Sequence, residues 1–162
     1  MKAWSERPFE VAHLVNPAFT GILLREFAGQ FERSSGEPPE VLLVFLAIPL
    51  VLHDATRDRL PPTKVTKHHV WLEENPDLRV GFAGRCRAVA PHVREAIVFS
   101  VAAGWISLAK PTSLRAERRV RKSRWLSRGR NAAHLKAAGF IGRWFAGAGS
   151  VSTVYAHWGV RP

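Results

Sequence analysis

Seven histidines and one cysteine are the side chains of this 162-residue chain best suited to metal binding or nucleophilic chemistry, and their spacing assembles no catalytic set. His68 and His69 are adjacent, so on a helix their rings point about 100° apart and cannot both face one metal ion. His13, His53, His92, His134 and His157 are scattered, and no His-x-x-x-His pair or second cysteine accompanies them. Cys86 lies between Arg85 and Arg87, which could lower its pKa, yet a lone cysteine on a helical face is more often a small core residue. His53 and Asp54, followed by Arg57, read as a polar cluster that satisfies the end of an apolar helix and the turn after it. No P-loop or Gly-x-Ser-x-Gly elbow occurs, and Gly147-Ala148-Gly149 lacks the strand and third glycine of a dinucleotide site. The expectation is a chain that is not an enzyme and carries no metal or other cofactor.

Charge is the more informative chemistry. Lys and Arg number 24 against 13 Asp and Glu, a net charge of +11 that favours anionic partners and says nothing about fold. The excess is local: residues 1–60 hold six basic and eight acidic side chains, whereas residues 110–130 hold nine and one. The nine are Lys110, Arg115, Arg118, Arg119, Arg121, Lys122, Arg124, Arg128 and Arg130. They are the candidate nucleic-acid-binding residues, because Lys and Arg neutralise phosphate without reading base sequence. The competing reading is a solvated linker. Trp105 and Trp125 flank the run, with Trp144 and Trp158 beyond it. Stacking on bases is one use for them, but tryptophan at helical spacing more often serves a core or a protein interface.

The elements that must position these residues are mainly helical. Asn16-Pro17 is a helix start, and Ala18, Phe19, Ile22, Leu23, Phe27 and Phe31 recur at three- and four-residue steps up to the Ser34–Pro39 break. Val41–Leu52 is apolar on most sides and reads as a central buried helix that Pro49 can kink. A break at Leu60-Pro61-Pro62 precedes a short helix near Thr66–Glu73, a helix over Leu78–Val89 and a further one from Pro91 to Gly104. Ile106 and Leu108, then Leu114 and Ala116, alternate about a Pro111–Ser113 turn as a small β-hairpin. Asn131–Phe145 and a Ser150-capped helix to Trp158 close the chain.

Helices followed by a hairpin and a basic tail are the order of a winged-helix module. The helix that would enter the groove offers only His92, Arg94, Glu95 and Ser100 as polar residues, so protein contact and base readout remain equal uses of that shape. The expected architecture is one mainly α domain over residues 1–162 with a winged-helix-like core and one small β-hairpin. It has a helical N-terminal part near 5–60, a winged-helix-like part near 64–130 and C-terminal helices near 131–159. The longest apolar run is about half of the ~20 residues that cross a bilayer, residues 1–10 contain no signal-type apolar stretch, and a single cysteine suits a reducing compartment. A cytoplasmic location without membrane partners is expected. The apolar loading of Val41–Leu52 and six tryptophans further suggest a subunit that buries surface on partners.

Larger blocks carry a resemblance. Arg7-Pro8-Phe9-Glu10 with Asn16-Pro17-Ala18-Phe19, the Phe45–His53 block running to Thr56-Arg57 and Leu60-Pro61, and the ending from Gly142-Arg143-Trp144-Phe145 through Ser152-Thr153-Val154-Tyr155 to Gly159-Val160-Arg161-Pro162 together resemble the middle component of bacterial three-component ABC-ATPase systems, to which Lamassu defence systems are related. Phe82, Arg85 and Arg94-Glu95-Ala96 fit the same pattern. The resemblance implies a non-catalytic adaptor subunit that partners an SMC-like ABC ATPase and an effector, often a nuclease, in defence against phage or plasmids. It transfers no catalytic residues and does not say which surface meets the ATPase. Sequence-independent contact of the basic stretch with double-stranded DNA is this chain's own suggestion. The alternative is a free-standing winged-helix DNA-binding regulator.

Overall fold

The computed structural model describes residues 16–117, 126 and 128–161. Its elements are helices α1 (Pro17–Ser35), α2 (Val41–Leu52), α3 (Asp54–Asp58) and α4 (His68–Glu74), a 3-10 turn (Pro76–Arg79), α5 (Phe82–Ala102), strands β1 (Ile106–Lys110) and β2 (Ser113–Ala116), α6 (Gly129–Phe145) and α7 (Val151–His157). The molecule is thus mainly helical with one antiparallel hairpin, as expected. The winged-helix idea is matched in order only, in that α5 runs directly into the hairpin.

Helix α1 is the centre. The Asn16 side chain accepts the Ala18 amide at 2.8 Å, Pro17 supplies the first turn, and Gly36 (φ 81°) closes the far end by donating its amide to the Glu32 carbonyl. Phe19, Ile22, Leu23, Leu24, Phe27 and Ala28 are all buried, more than one amphipathic stripe requires, because α1 is covered on several sides. It packs chiefly against α6 and α5, and β2 lies across it.

These neighbours reach α1 through glycine. A Cβ on Gly142 of α6 would overlap the Phe27 carbonyl oxygen, and one on Gly139 would press on Glu26 and Gln30. On α1 itself, a Cβ on Gly21 would overlap Ser100 Oγ of α5, while Gly29 admits the Ala116 methyl of β2. Phe27 then meets Phe145 edge to face with ring centroids 6.1 Å apart.

Helix α2 is buried from Leu43 to Val51 apart from the half-buried Phe45, so its apolar loading goes into the protein's own core. Three tryptophans follow the same pattern. Trp71, Trp144 and Trp158 are core residues in one cluster with His68, Phe82 and Phe145, the core use that tryptophan at helical spacing suggests.

The expected break between Leu78–Val89 and Pro91–Gly104 is also corrected, since α5 runs unbroken through Pro91. Pro91 removes one helical N–H, but Phe82, Cys86, Val93 and Ala96 form one continuous buried stripe against α1 and α2 that holds both halves in line. The hairpin is fastened at its turn: the Val41 amide donates to Thr112 O at 2.6 Å and the Leu114 amide to Pro39 O at 2.9 Å, so residues 39–41 pair with the start of β2.

The close approach yields a paired prediction. Gly142→Ala should destabilise by about 1–3 kcal/mol despite alanine's better helix propensity, because a backbone carbonyl cannot move aside cheaply. Gly84→Ala, on the exposed face of α5 with nothing near its Cβ, should stabilise by about 0.5–1 kcal/mol. Thermal melts of both variants decide it, and an unchanged or raised Tm for Gly142→Ala would mean that α1 and α6 can separate at no cost.

Candidate functional site

The basic stretch is divided by the fold. Lys110 and Arg115 lie on the hairpin at the C-terminal end of α1, where Lys110 Nζ pairs with Glu37 at 2.9 Å and Arg115 Nε with Glu32 at 3.1 Å. Both pairs are solvent-exposed, so each contributes little to stability and phosphate can compete for the cation. The Glu37 carboxyl is held below its ordinary pKa by its hydrogen bond to Lys110. Arg118, Arg119, Arg121, Lys122 and Arg124 lie outside the described residues. Leu126 is buried, and Arg128 and Arg130 stand exposed at the start of α6.

That start lies near the other end of α1, where Phe19 packs edge-on against His134 of α6. Phe19 and Glu32 are thirteen positions apart on α1, a rise of about 20 Å along that helix.

A polar relay fastens the start of α6. Arg57 of α3 is almost buried, and it donates to the Val51 carbonyl (3.0 Å), to Asp54 Oδ1 (2.6 Å) and to His134 Nε2 (3.0 Å). His134 is buried and its Nδ1 lies 2.7 Å from the Arg130 carbonyl, so Nδ1 carries the proton and Nε2 accepts from Arg57. Burial is the main cause that lowers the His134 pKa, with Arg57 adding to it, and both favour this neutral tautomer. The hydrogen bond from Arg57 lowers the Asp54 pKa.

The His53, Asp54 and Arg57 cluster read from the sequence is therefore real, and His53 Nδ1 also sits 2.8 Å from Thr56 Oγ1. Its most distant partner, His134, was not legible. The two are 77 residues apart and no local pattern links them.

A second relay lies in the aromatic core. Trp158 Nε1 donates to His68 Nε2 at 2.9 Å, which leaves the His68 proton on Nδ1, 3.2 Å from Nδ1 of His157. His68 is buried, and burial first, then His157 and His69, pushes its pKa down to about 3. The His69 ring is also near His157, tilted with centroids 5.7 Å apart, so both adjacent histidines meet the same third ring. Among the described residues no group of three or more His, Cys, Asp or Glu could hold a metal ion. Cys86 is buried, and burial raises its thiol to about 11 against a smaller opposing effect of Arg85, so it is held as an unreactive thiol. No helix among the described residues is long and apolar enough to cross a membrane.

Residues 4–162 match one family model, described as ABC-three component (ABC-3C) system Middle Component 3. No curated protein and no solved structure matches the chain.

The buried histidines predict acid lability. The folded pKa of His68 lies below its unfolded value near 6.5, so above pH 6.5 neither state binds the proton. Between about pH 6.5 and 3 only the unfolded chain binds it, and stability falls as pH falls. His53, His134 and His157 are shifted in the same direction. From pH 7 to pH 5 the loss from His68 alone is about 2 kcal/mol, or roughly 4–8 °C in Tm. His68→Gln should flatten this dependence. A Tm difference between pH 7 and pH 5 as large as that of the parent would show that His68 is not its source.

Proposed function

The chain belongs to the middle-component family of ABC-three component systems, and from that membership we propose that it is a non-catalytic adaptor joining an SMC-like ABC ATPase to an effector, often a nuclease, in a bacterial complex that defends against phage or plasmids. The observation that carries the reading is the family match over residues 4–162. Its partners are then the other components of the system, and its location is the cytoplasm.

The second part of the proposal is sequence-independent contact with double-stranded DNA through the basic wing and tail, Lys110 to Arg130. Supporting it are the contacts of its two ends with α1, at Glu32 and near Phe19, positions about 20 Å apart along that helix, a length of duplex that carries about a dozen phosphates. Lys110 and Arg115 would exchange their carboxylate partners for phosphate, whereas Arg128 and Arg130 are exposed at the start of α6. The hairpin following α5 serves as the wing in this reading.

Co-expression with the other components tests the adaptor role: a stable complex that contains the ATPase is expected. A lone homodimer that selects one DNA sequence would instead make the chain a free-standing regulator. For the DNA contact, reversing the charge of Arg118, Arg119, Arg121 and Arg124 together should weaken binding to every duplex alike and flatten the log–log salt slope by up to about four units. Affinity and slope that barely change in a binding titration would leave the stretch a linker or a protein contact.

A further inference from the structure

A cleft of about 510 Å³ opens between α2, α5 and the turn after α7. Its floor is apolar, formed by Phe45 and Leu46 of α2, Ala83, Cys86 and Ala90 of α5, and Tyr155. The Tyr155 hydroxyl is already used, donating to the Leu42 carbonyl at 2.8 Å, so it offers an incoming group little beyond its ring. Three arginines rim the cleft, Arg87 and Arg94 from α5 and Arg161 beyond α7, and among the described residues no acidic side chain lines it. All three are exposed. Arg94 lies over the Phe45 ring with its guanidinium 5.7 Å from the centroid, which pre-orients the charge at the edge of the apolar floor.

The wall has the geometry of a helix seat. Ala83, Arg87, Ala90 and Arg94 recur at three- and four-residue steps on α5, so small residues alternate with arginines along about three turns. Alanines let a second backbone approach closely. Arg87 and Arg94 are seven residues apart, about 10 Å along the helix, which is the spacing of two carboxylates one heptad apart on an opposing helix. An arginine rim over an apolar floor is also the composition of a protein interface core rather than of a solvated face.

We infer that this cleft seats an apolar helix of another component of the system, one that carries acidic residues a heptad apart to meet Arg87 and Arg94. The inference rests on the adaptor reading and adds to it the surface and the chemistry of the partner. Helix-in-groove recognition of this kind draws its affinity from the apolar face and its register from the charges.

The test uses the full chain reconstituted with the two other components. A photo-crosslinking benzoylphenylalanine replaces Leu42, which is 40% exposed on the rim of the cleft, and the captured peptide is identified by mass spectrometry. The expected result is capture of an acidic, apolar segment of another component, with affinity reduced at least about tenfold in Arg87→Glu/Arg94→Glu and retained in Arg87→Lys/Arg94→Lys. Circular-dichroism melts that match the parent exclude misfolding of these exposed-site variants. If the complex forms but the charge-reversed variant assembles normally, or Leu42 captures residues 1–15 of the same chain, a second copy or DNA, the cleft assignment is wrong and the adaptor role stands. If the unaltered chain forms no complex, the adaptor reading and this inference fail together.

Discussion

The fold depends on how closely backbones can approach α1. Interhelical contact at the distance set by Gly142 and the Phe27 carbonyl leaves no room for a methyl group, and Gly21 and Gly29 set similar limits against α5 and β2. Once those backbones touch, the large side chains on either side of each glycine interdigitate, as Phe27 does with Phe145. A helix enclosed on so many sides must be apolar around most of its circumference, and α1 is. The same enclosure places the start of α6 near the start of α1 and the hairpin near its end, so the packing of one helix decides where the basic stretch begins and finishes.

The indole and histidine groups inside this core are paired with residues outside their own helical turns. The indole N–H groups of Trp71, Trp144 and Trp158 donate to Arg59 O, Thr66 O and His68 Nε2, three points in and just after the proline-rich break between α3 and α4. A segment with few helical hydrogen bonds of its own is thereby pinned to the aromatic cluster. The Arg57 and His134 contact does the same for the first turn of α6. In both relays the histidine works as a neutral acceptor and donor at once. Its usefulness to the fold therefore depends on staying unprotonated, which burial enforces.

Charge is distributed by a different rule. On the hairpin, cations are balanced in part by Glu32 and Glu37, whereas Arg87, Arg94 and Arg161 rim an apolar cleft that no acid among the described residues lines. Charge at the protein surface is cheap when solvated, so such clusters are free to serve recognition, provided a scaffold holds them. The two basic regions use different scaffolds, one hairpin and one long helix.

Much of the scaffold was legible in the sequence by itself. Asn16-Pro17 with its 3.6-residue apolar period specifies α1, the continuous apolar run specifies α2, the alternation around Pro111 specifies the hairpin, and Ser150 caps the last helix, because each signal acts over a few neighbouring residues. The His53, Asp54 and Arg57 cluster was legible for the same reason. Only tertiary structure decided that α5 passes through Pro91, since a local rule for proline yields when a long buried stripe outweighs one lost hydrogen bond. It alone joined His134 to Arg57 and His157 to His68, and put Arg161 on the same cleft as Arg87 and Arg94. Each of these is a meeting of residues far apart in the chain, and sequence periodicity records which face of an element is apolar but not which distant face it will meet.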